Sequence, residues 1–401
     1  MSAIKLSECV GRIKESPTLA ITAKAARYKS EGKDIIGLAA GEPDFDTPQH
    51  IKDAAKKAID NGFTKYTPVS GIPSLKKAIV EKFKRDNNLD YALSEVIVGV
   101  GGKQCIFNFC LAVLNSGDEV IIPAPYWVSY ADIALVSDAK PIIVECGIEQ
   151  KFKMTASQLE KVITPKTKLV ILNSPSNPTG AVYSKEELTS LADVLIKHPN
   201  ILIGTDDMYE HVKLKDMPFY NILNVNPALK DRCVIMNGVS KAYSMTGWRI
   251  GYAAGPSYII KAMEILQSQS TSNPTSISQV AAEAALSGDQ ACMDPMIKAF
   301  RERHAYVVKS FNEIPGLSCI EAEGAFYAFP DARKAIEYLF NQKVLKEKTD
   351  HALADYLLEK EGVAVVPGSA FGSDGYFRIS FATSMENLIE AMKRIKRALS
   401  V

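Results

Sequence analysis

The sequence carries almost no net charge: 47 lysines and arginines stand against 46 aspartates and glutamates, a formal +1. A chain so balanced offers no basic stripe to follow a nucleic-acid backbone and none to grip an anionic membrane surface, so neither is an expected partner. It also lacks any apolar run approaching the ~20 residues of a membrane-spanning helix. The opening stretch, MSAIKLSECVGRIKESP, has neither a long apolar segment nor a small-residue cleavage site, and no secretory signal is expected there. Cysteine is sparse and unpaired in pattern: seven residues, an odd number, with no C-x-x-C pair. That argues against a disulfide framework and a zinc knuckle. The five histidines show no H-x-x-x-H spacing. Internal repeats and low-complexity linkers are missing as well. Together these absences describe a cytoplasmic protein with reduced thiols and no expected metal.

What is present points to an α/β architecture. At 401 residues, 47% of them hydrophobic, the chain exceeds what one apolar core usually serves, so a large domain and a smaller companion are expected. Strand-like runs alternate with amphipathic stretches: EVIVGV (95–100), EVIIPAP (119–125), KLVILNSP (168–175), ILIGTDD (201–207) and RCVIMNGVS (232–240). The alternation predicts a mainly parallel sheet flanked by helices, and runs such as LVIL predict strands covered on both faces. From about residue 290 the texture changes to a charged helical pattern, MIKAFRERHAYVVKSFNEI, followed by short hairpin-like runs and the closing helix ENLIEAMKRIKRAL. We assign a large ligand-binding domain to 46–288, and a smaller α/β domain to 1–45 together with 289–401.

In an open parallel sheet, ligands collect beyond the carboxyl ends of the strands. Each strand-end loop here carries a feature with two readings. GVGGKQ (99–104) opens a helix with glycines, as a phosphate cradle or a plain tight turn does, while Gln104 breaks the dinucleotide fingerprint. PSNPTGAVYS (175–184) is a rigid turn that aims Asn177, or simply a helix-entry loop, and Asn177–Pro178 is a candidate cis bond. In DDMYEH (206–211), Asp206 and Tyr209 are either a cap and a packed aromatic, or a carboxylate and a phenol aimed at a ligand. NGVSKAYSMTGWRIGY (237–252) carries Lys241 and, eight residues on, Arg249: two surface charges, or a covalent lysine and a phosphate fork. The set as a whole meets the needs of one ligand class, pyridoxal 5′-phosphate. That cofactor requires a lysine for its aldehyde, a carboxylate for its ring nitrogen, and arginine with backbone N–H groups for its phosphate.

Nearly end to end, the sequence resembles the class I aminotransferases of pyridoxal-phosphate fold type I. Within them it is most similar to the bacterial and plastid aspartate aminotransferase subgroup, some members of which also use prephenate. The likeness rests on AAGEPDFDTP (39–48), KYTPVSGIPSLK (65–76), GGKQ (101–104), PAPYWVSY (123–130), NSPSNPTGAVY (173–183), DDMYEH, NGVSKAYSMTGWRIGY and VAVVPGSAFG with FRISFATS (363–384). It implies reversible ping-pong amino transfer between L-aspartate and 2-oxoglutarate. Its alternative is a broader specificity toward glutamate, prephenate, aromatic amino acids or alanine. The resemblance implies that Lys241 holds the cofactor as a Schiff base and later shuttles the substrate Cα proton. Asp206 is implied at the ring nitrogen, Tyr209 at the phenolic oxygen, Asn177 at that oxygen and the substrate carboxylate, and Trp127 on the ring face. Gly102, Lys103, Ser240 and Arg249 are implied at the phosphate end, with Tyr66 arriving from the neighbouring subunit of a homodimer. Arg378 is implied to fork onto the substrate α-carboxylate, the Gly41 backbone to close over it, and Lys103 with Thr18 to meet the distal carboxylate. The implied partners are amino acids and 2-oxo acids.

The residues carry their own alternatives. Arg378, in a β-run with apolar neighbours, needs an anion, which is either a ligand or an internal salt bridge. Trp127 is either a ring-stacking face or a core aromatic. Three positions depart from the family pattern. Gly238 stands where cousins place a phosphate-binding hydroxyl, leaving that contact to Ser240 or to backbone. Ser268 falls where many aspartate aminotransferases present an arginine to the partner subunit's substrate. Glu15 replaces a frequent proline, which argues against prephenate more than against aspartate. A nicotinamide-dependent oxidoreductase leaves Lys241, Asp206 and Arg249 without a role. A cofactor-binding regulator needs a DNA-binding domain that the roughly 40 residues before GEPDF do not provide.

Overall fold

The computed structural model describes residues 4–400. After a short β1 (Ile36–Gly37), seven strands build the central sheet: β2 (Val96–Gly99), β3 (Glu119–Ala124), β4 (Lys140–Glu145), β5 (Thr167–Asn173), β6 (Leu202–Asp206), β7 (Cys233–Gly238) and β8 (Gly251–Ala254). Their order is β2-β8-β7-β6-β5-β3-β4. Only β8 runs against its neighbours. The five runs read from sequence are all strands here. The sequence reading missed β4 and β8. β4 is a half-exposed edge strand, and β8 is a four-residue GYAA run without the branched residues that signal a strand.

Side-chain alternation explains why both faces of this sheet are covered. Val96, Val98, Val170, Leu172, Ile203 and Ile235 point into one apolar cluster. Ile97, Leu169, Ile171, Val234 and Met236 point into another on the opposite face. Crossover helices complete the layers. Helix Gly102–Val113 follows β2 and packs on helix Ser257–Ser268, while helix Lys185–Leu195 follows β5. Ser184 starts the latter with a capping box, accepting from Glu187 N–H at 3.2 Å and donating its own N–H to Glu187 at 2.7 Å.

The chain steps from β3 out to the edge at β4, then returns to β5 on the other side of β3. Strand growth therefore reverses between β3 and β5, the switch point where such sheets open a crevice. The carboxyl ends of β2, β3, β5, β6 and β7 share this side, and β8 begins there.

A third apolar cluster gathers around β9 (Tyr327–Ala328), β10 (Val363–Ala364), β12 (Phe377–Ser380) and helices Asp294–Asn312, Asp350–Glu361 and Met385–Leu399, while β11 (Val366–Pro367) sends Val366 into a smaller cluster with Phe329 and Phe371. β11, β12 and β9 form an antiparallel sheet. β1 pairs in parallel with β10, Ile36 opposite Val363, and so joins the beginning of the chain to its last third. Arg303 grips Asp44 with two bonds of 2.7 and 2.9 Å across the same junction.

Candidate active site

Beyond the carboxyl ends of the strands lies a cavity of about 250 Å³. Gly41, Gly102, Lys103, Trp127, Asn177, Asp206, Tyr209, Ser240, Lys241, Arg249, Arg378 and Thr18 all line it. Of the residues that the resemblance implies at the cofactor or substrate, Tyr66 alone stays outside. It is 92% exposed and borders a separate hollow with Ser272 and Asn273.

The floor is set by strand register. Asp206 ends β6 opposite Asn173 of β5, and the Asn173 amide donates to the Asp206 carbonyl at 2.8 Å. Asp206 Oδ2 accepts from the Tyr130 hydroxyl at 2.6 Å, and Oδ1 from the Met208 N–H at 3.3 Å. Burial raises the Asp206 carboxyl above its ordinary range, against the opposing pull of Tyr130, Met208 and Lys241. A buried carboxyl in this condition is suited to a cationic partner in the cavity.

Lys241 follows β7 and donates to the Gly41 carbonyl at 2.5 Å. Burial, reinforced by Arg378 and Arg249, pulls its amine down to about 8, although Glu42 and Asp206 act the other way. The amine therefore reaches its nucleophilic form near neutral pH. The Tyr209 hydroxyl lies 2.7 Å from that of Tyr327, and burial holds it well above the ordinary phenol range, so it stays a neutral donor.

Gly101, at φ +82°, turns the chain into helix Gly102–Val113. A side chain at Gly101 would stand 2.3 Å from Arg249 Nη2, so glycine lets the guanidinium lie against the helix N-terminus. Free N–H groups, the helix dipole and an arginine fork together form an anion cradle. The Gly238 departure has a packing reason: a Cβ there would meet Gly251 Cα, the Ile250 carbonyl and Met208 Cε, each at 3.1 Å.

Arg378 is 2% exposed and rises from β12. Its Nη1 donates to Asn177 Oδ1 at 2.8 Å and its Nη2 to the Ala39 carbonyl at 2.6 Å. Nε has no partner, and no carboxylate among the described residues forms an ion pair with this guanidinium. Rings of Tyr327 and Phe371 flank it at 4.5 and 5.0 Å. A buried cation answered only by neutral oxygens is set to receive an anion. At the mouth, Lys103 Nζ sits 4.9 Å from the Trp127 ring centre, and Thr18, in the first turn of helix Pro17–Ser30, lines the same cavity. The Asn177–Pro178 bond is cis.

Tyr130, Asn173 and Tyr327 were not legible as site residues. Tyr130 lies three positions after Trp127 and reads as helix core, while Tyr327 reads as hairpin core. Asn173, inside NSPSNPTGAVY, and Tyr130, the last residue of PAPYWVSY, stood within stretches already singled out, but neither residue carried a role of its own.

A sequence profile for the family described as aminotransferase class I and II matches residues 33–395. The chain belongs to this family. The aspartate/prephenate aminotransferase of Nitrosomonas europaea is 62% identical over 99% of this chain and 100% of its own length. That of Cereibacter sphaeroides is 54% identical over 98% of each chain. Among solved structures, the aspartate aminotransferase of Rhizobium meliloti superposes with a TM-score of 0.94 at 48% identity, covering 99% of both chains. The Thermus thermophilus aspartate aminotransferase with maleate gives 0.91 at 40% identity, covering 98% of this chain and all of that one. The fold is thus that of the pyridoxal-phosphate-dependent transferases of fold type I, and this aminotransferase depends on that cofactor. Its site fits the group: a nucleophilic lysine, a burial-raised carboxyl, a neutral phenol and an anion cradle surround one cavity.

Proposed function

We propose that the enzyme transfers amino groups between L-aspartate and 2-oxoglutarate by a ping-pong route. The observation that carries this reading is the pair of cations on the cavity: Arg378, buried without a carboxylate partner among the described residues, and Lys103 at the mouth. Two cationic ends suit a dicarboxylic amino acid, one end for each carboxylate.

Pyridoxal 5′-phosphate, when bound, supplies the electron sink that makes the substrate Cα acidic. Lys241 would hold it through its amine and, once freed, take the Cα proton. Asp206, oriented by Tyr130, would keep the ring nitrogen protonated. Tyr209 and the Asn177 amide would donate to the phenolic oxygen, and Trp127 would cover the ring. Gly102, Ser240 and Arg249 would hold the phosphate, joined by Tyr66 from a second copy of the chain in a homodimer. Arg378 would fork onto the α-carboxylate beneath the Gly41 backbone, and Lys103 with Thr18 would meet the distal one. Prephenate as a further amino acceptor is the second reading, favoured by the names of the relatives at 62% and 54% identity.

The same proposal divides the chain into a large domain over 46–288 and a small one over 1–45 with 289–401. The β1–β10 pairing supports that division. A cytoplasmic setting is supported by seven free cysteines, five of them buried.

Borohydride reduction followed by peptide mass mapping tests the assignment: the cofactor mass is expected on the Lys241 peptide, and its absence there would refute it. A donor scan with Lys103→Ala tests the specificity. Loss of aspartate and glutamate turnover by about 10²-fold, with alanine spared, is expected for a lost charge-assisted contact. Equal turnover would remove Lys103 from the distal site.

A further inference from the structure

Directly behind the cavity lies a buried set of charges with no part in the chemistry above. Lys82, fully buried on helix Pro73–Asn87, forms an ion pair with Glu210, itself 3% exposed. Lys82 also donates to Asn87 Oδ1 at 2.7 Å, and Glu210 Oε2 accepts from Asn87 Nδ2 at 2.7 Å. The other oxygen, Oε1, accepts from Asn237 Nδ2 at 2.7 Å. Asp86 lies 4.0 Å from the Lys82 amine and bonds His211 at 3.0 Å, while Asp207 is held by Asn221 at 2.6 Å. Ligand atoms of Asp86, Glu210 and His211 lie within 4.8 Å of one another, and the Lys82 ammonium already supplies the positive charge such a cluster calls for.

Placement gives this network its meaning. Glu210 directly follows Tyr209 and comes four residues after Asp206, whereas Asn237 comes four residues before Lys241. The β6–β7 ladder ends at Asp206 opposite Met236, with one further bond from Asp207 N–H to the Met236 carbonyl at 2.9 Å. The next link outward is Asn237 to Glu210. Asn237 Oδ1 meanwhile accepts from the Gly238 N–H at 2.7 Å, which fixes the start of the lysine loop.

We propose that Glu210 is a positioning residue, which through Asn237 sets the spacing between the Asp206–Tyr209 loop and the Lys241 loop. A buried ion pair adds little net stability over apolar residues of similar volume, but it confines its partners to one geometry. Here one carboxylate draws its donors from a helix and from the neighbouring strand. This inference rests on Lys241 being the cofactor lysine.

Two variants separate the link from the charge in cofactor-loaded enzyme. Asn237→Ala cuts the link and leaves Glu210 paired. Lys82→Met/Glu210→Gln removes the ion pair but keeps an acceptor facing Asn237. The readouts are the pH midpoint of the visible absorption band of the cofactor at Lys241, kcat and KM for aspartate, and thermal melting. Asn237→Ala is expected to move the midpoint and lower kcat by about 10-fold to 100-fold with KM nearly unchanged, as a misplaced reacting group does. Lys82→Met/Glu210→Gln is expected to keep the wild-type midpoint. If Asn237→Ala does not fold, Asn237→Ser cuts the same bond at a smaller loss of polarity and is read in its place. An unmoved midpoint in the folded Asn237 variant, or equal shifts in both variants, would overturn the proposal. No borohydride label at Lys241 in the wild type would instead overturn the parent reading, which keeps the two failures distinct.

Discussion

At Lys241 the environment sets when the amine can react. Burial first, then the positive charges of Arg378 and Arg249, lower it from the ordinary lysine value of 10.5 to about 8. Between those two values the folded chain has shed a proton that the unfolded chain keeps. Stability of the cofactor-free protein from this group therefore rises with pH across that window, and the burial penalty is full below pH 8. Capture of pyridoxal 5′-phosphate by the cofactor-free enzyme should accelerate with pH through a midpoint near 8, read by stopped-flow absorbance. A midpoint near 10.5 would mean that the amine is not perturbed. Lysine, carboxylate and arginine were recognisable at this scale because each has a chemistry of its own. Tyr130 was not, since a helical tyrosine looks the same whether it packs or donates, and only the 2.6 Å approach to Asp206 distinguishes the two.

The anion cradle belongs to the scale of elements, because three segments must meet to form it. A Cβ at Gly251, the first residue of β8, would fall 2.2 Å from Gly102 N and 2.4 Å from Gly101 C, both backbone atoms that cannot swing aside. Gly251→Ala should therefore displace the helix N-terminus from Arg249. The expected losses are about 1–3 kcal/mol of stability, by urea midpoint, together with faster cofactor release on dialysis. Unchanged cofactor retention would remove this turn from the phosphate site. The GVGGKQ glycines suggested a phosphate turn from sequence, but the strand that braces it did not register as a strand. Small residues are what the brace requires, and they are what hides β8 from a reading based on branched and aromatic residues.

Tyr66 poses the question that only the assembled molecule answers. It is 92% exposed and outside the cavity of its own chain, so a role at the phosphate requires a second copy. Mixed dimers of Lys241→Ala and Tyr66→Ala chains should regain activity, because each hybrid holds one site with both native residues. No gain over the separate variants, with hybrid formation verified by mass, would place Tyr66 outside the site. The β1–β10 pair belongs to this scale too: two strands of two residues each, with the paired Ile36 and Val363 lying 327 positions apart, leave no periodic signal to read.

Strand runs, the turn chemistry after each strand and the reactive side chains were properties of the sequence alone, because they depend on near neighbours and on period-two alternation. The packed chain decided which loops share a cavity and which groups they leave unanswered. Asn173 reaches Asp206 through the β5–β6 register, and Arg378 sits buried with no carboxylate partner among the described residues because β12 carries it against Asn177 and Ala39. Distance and desolvation are non-local, and a charge acquires its function only when the fold has settled what surrounds it.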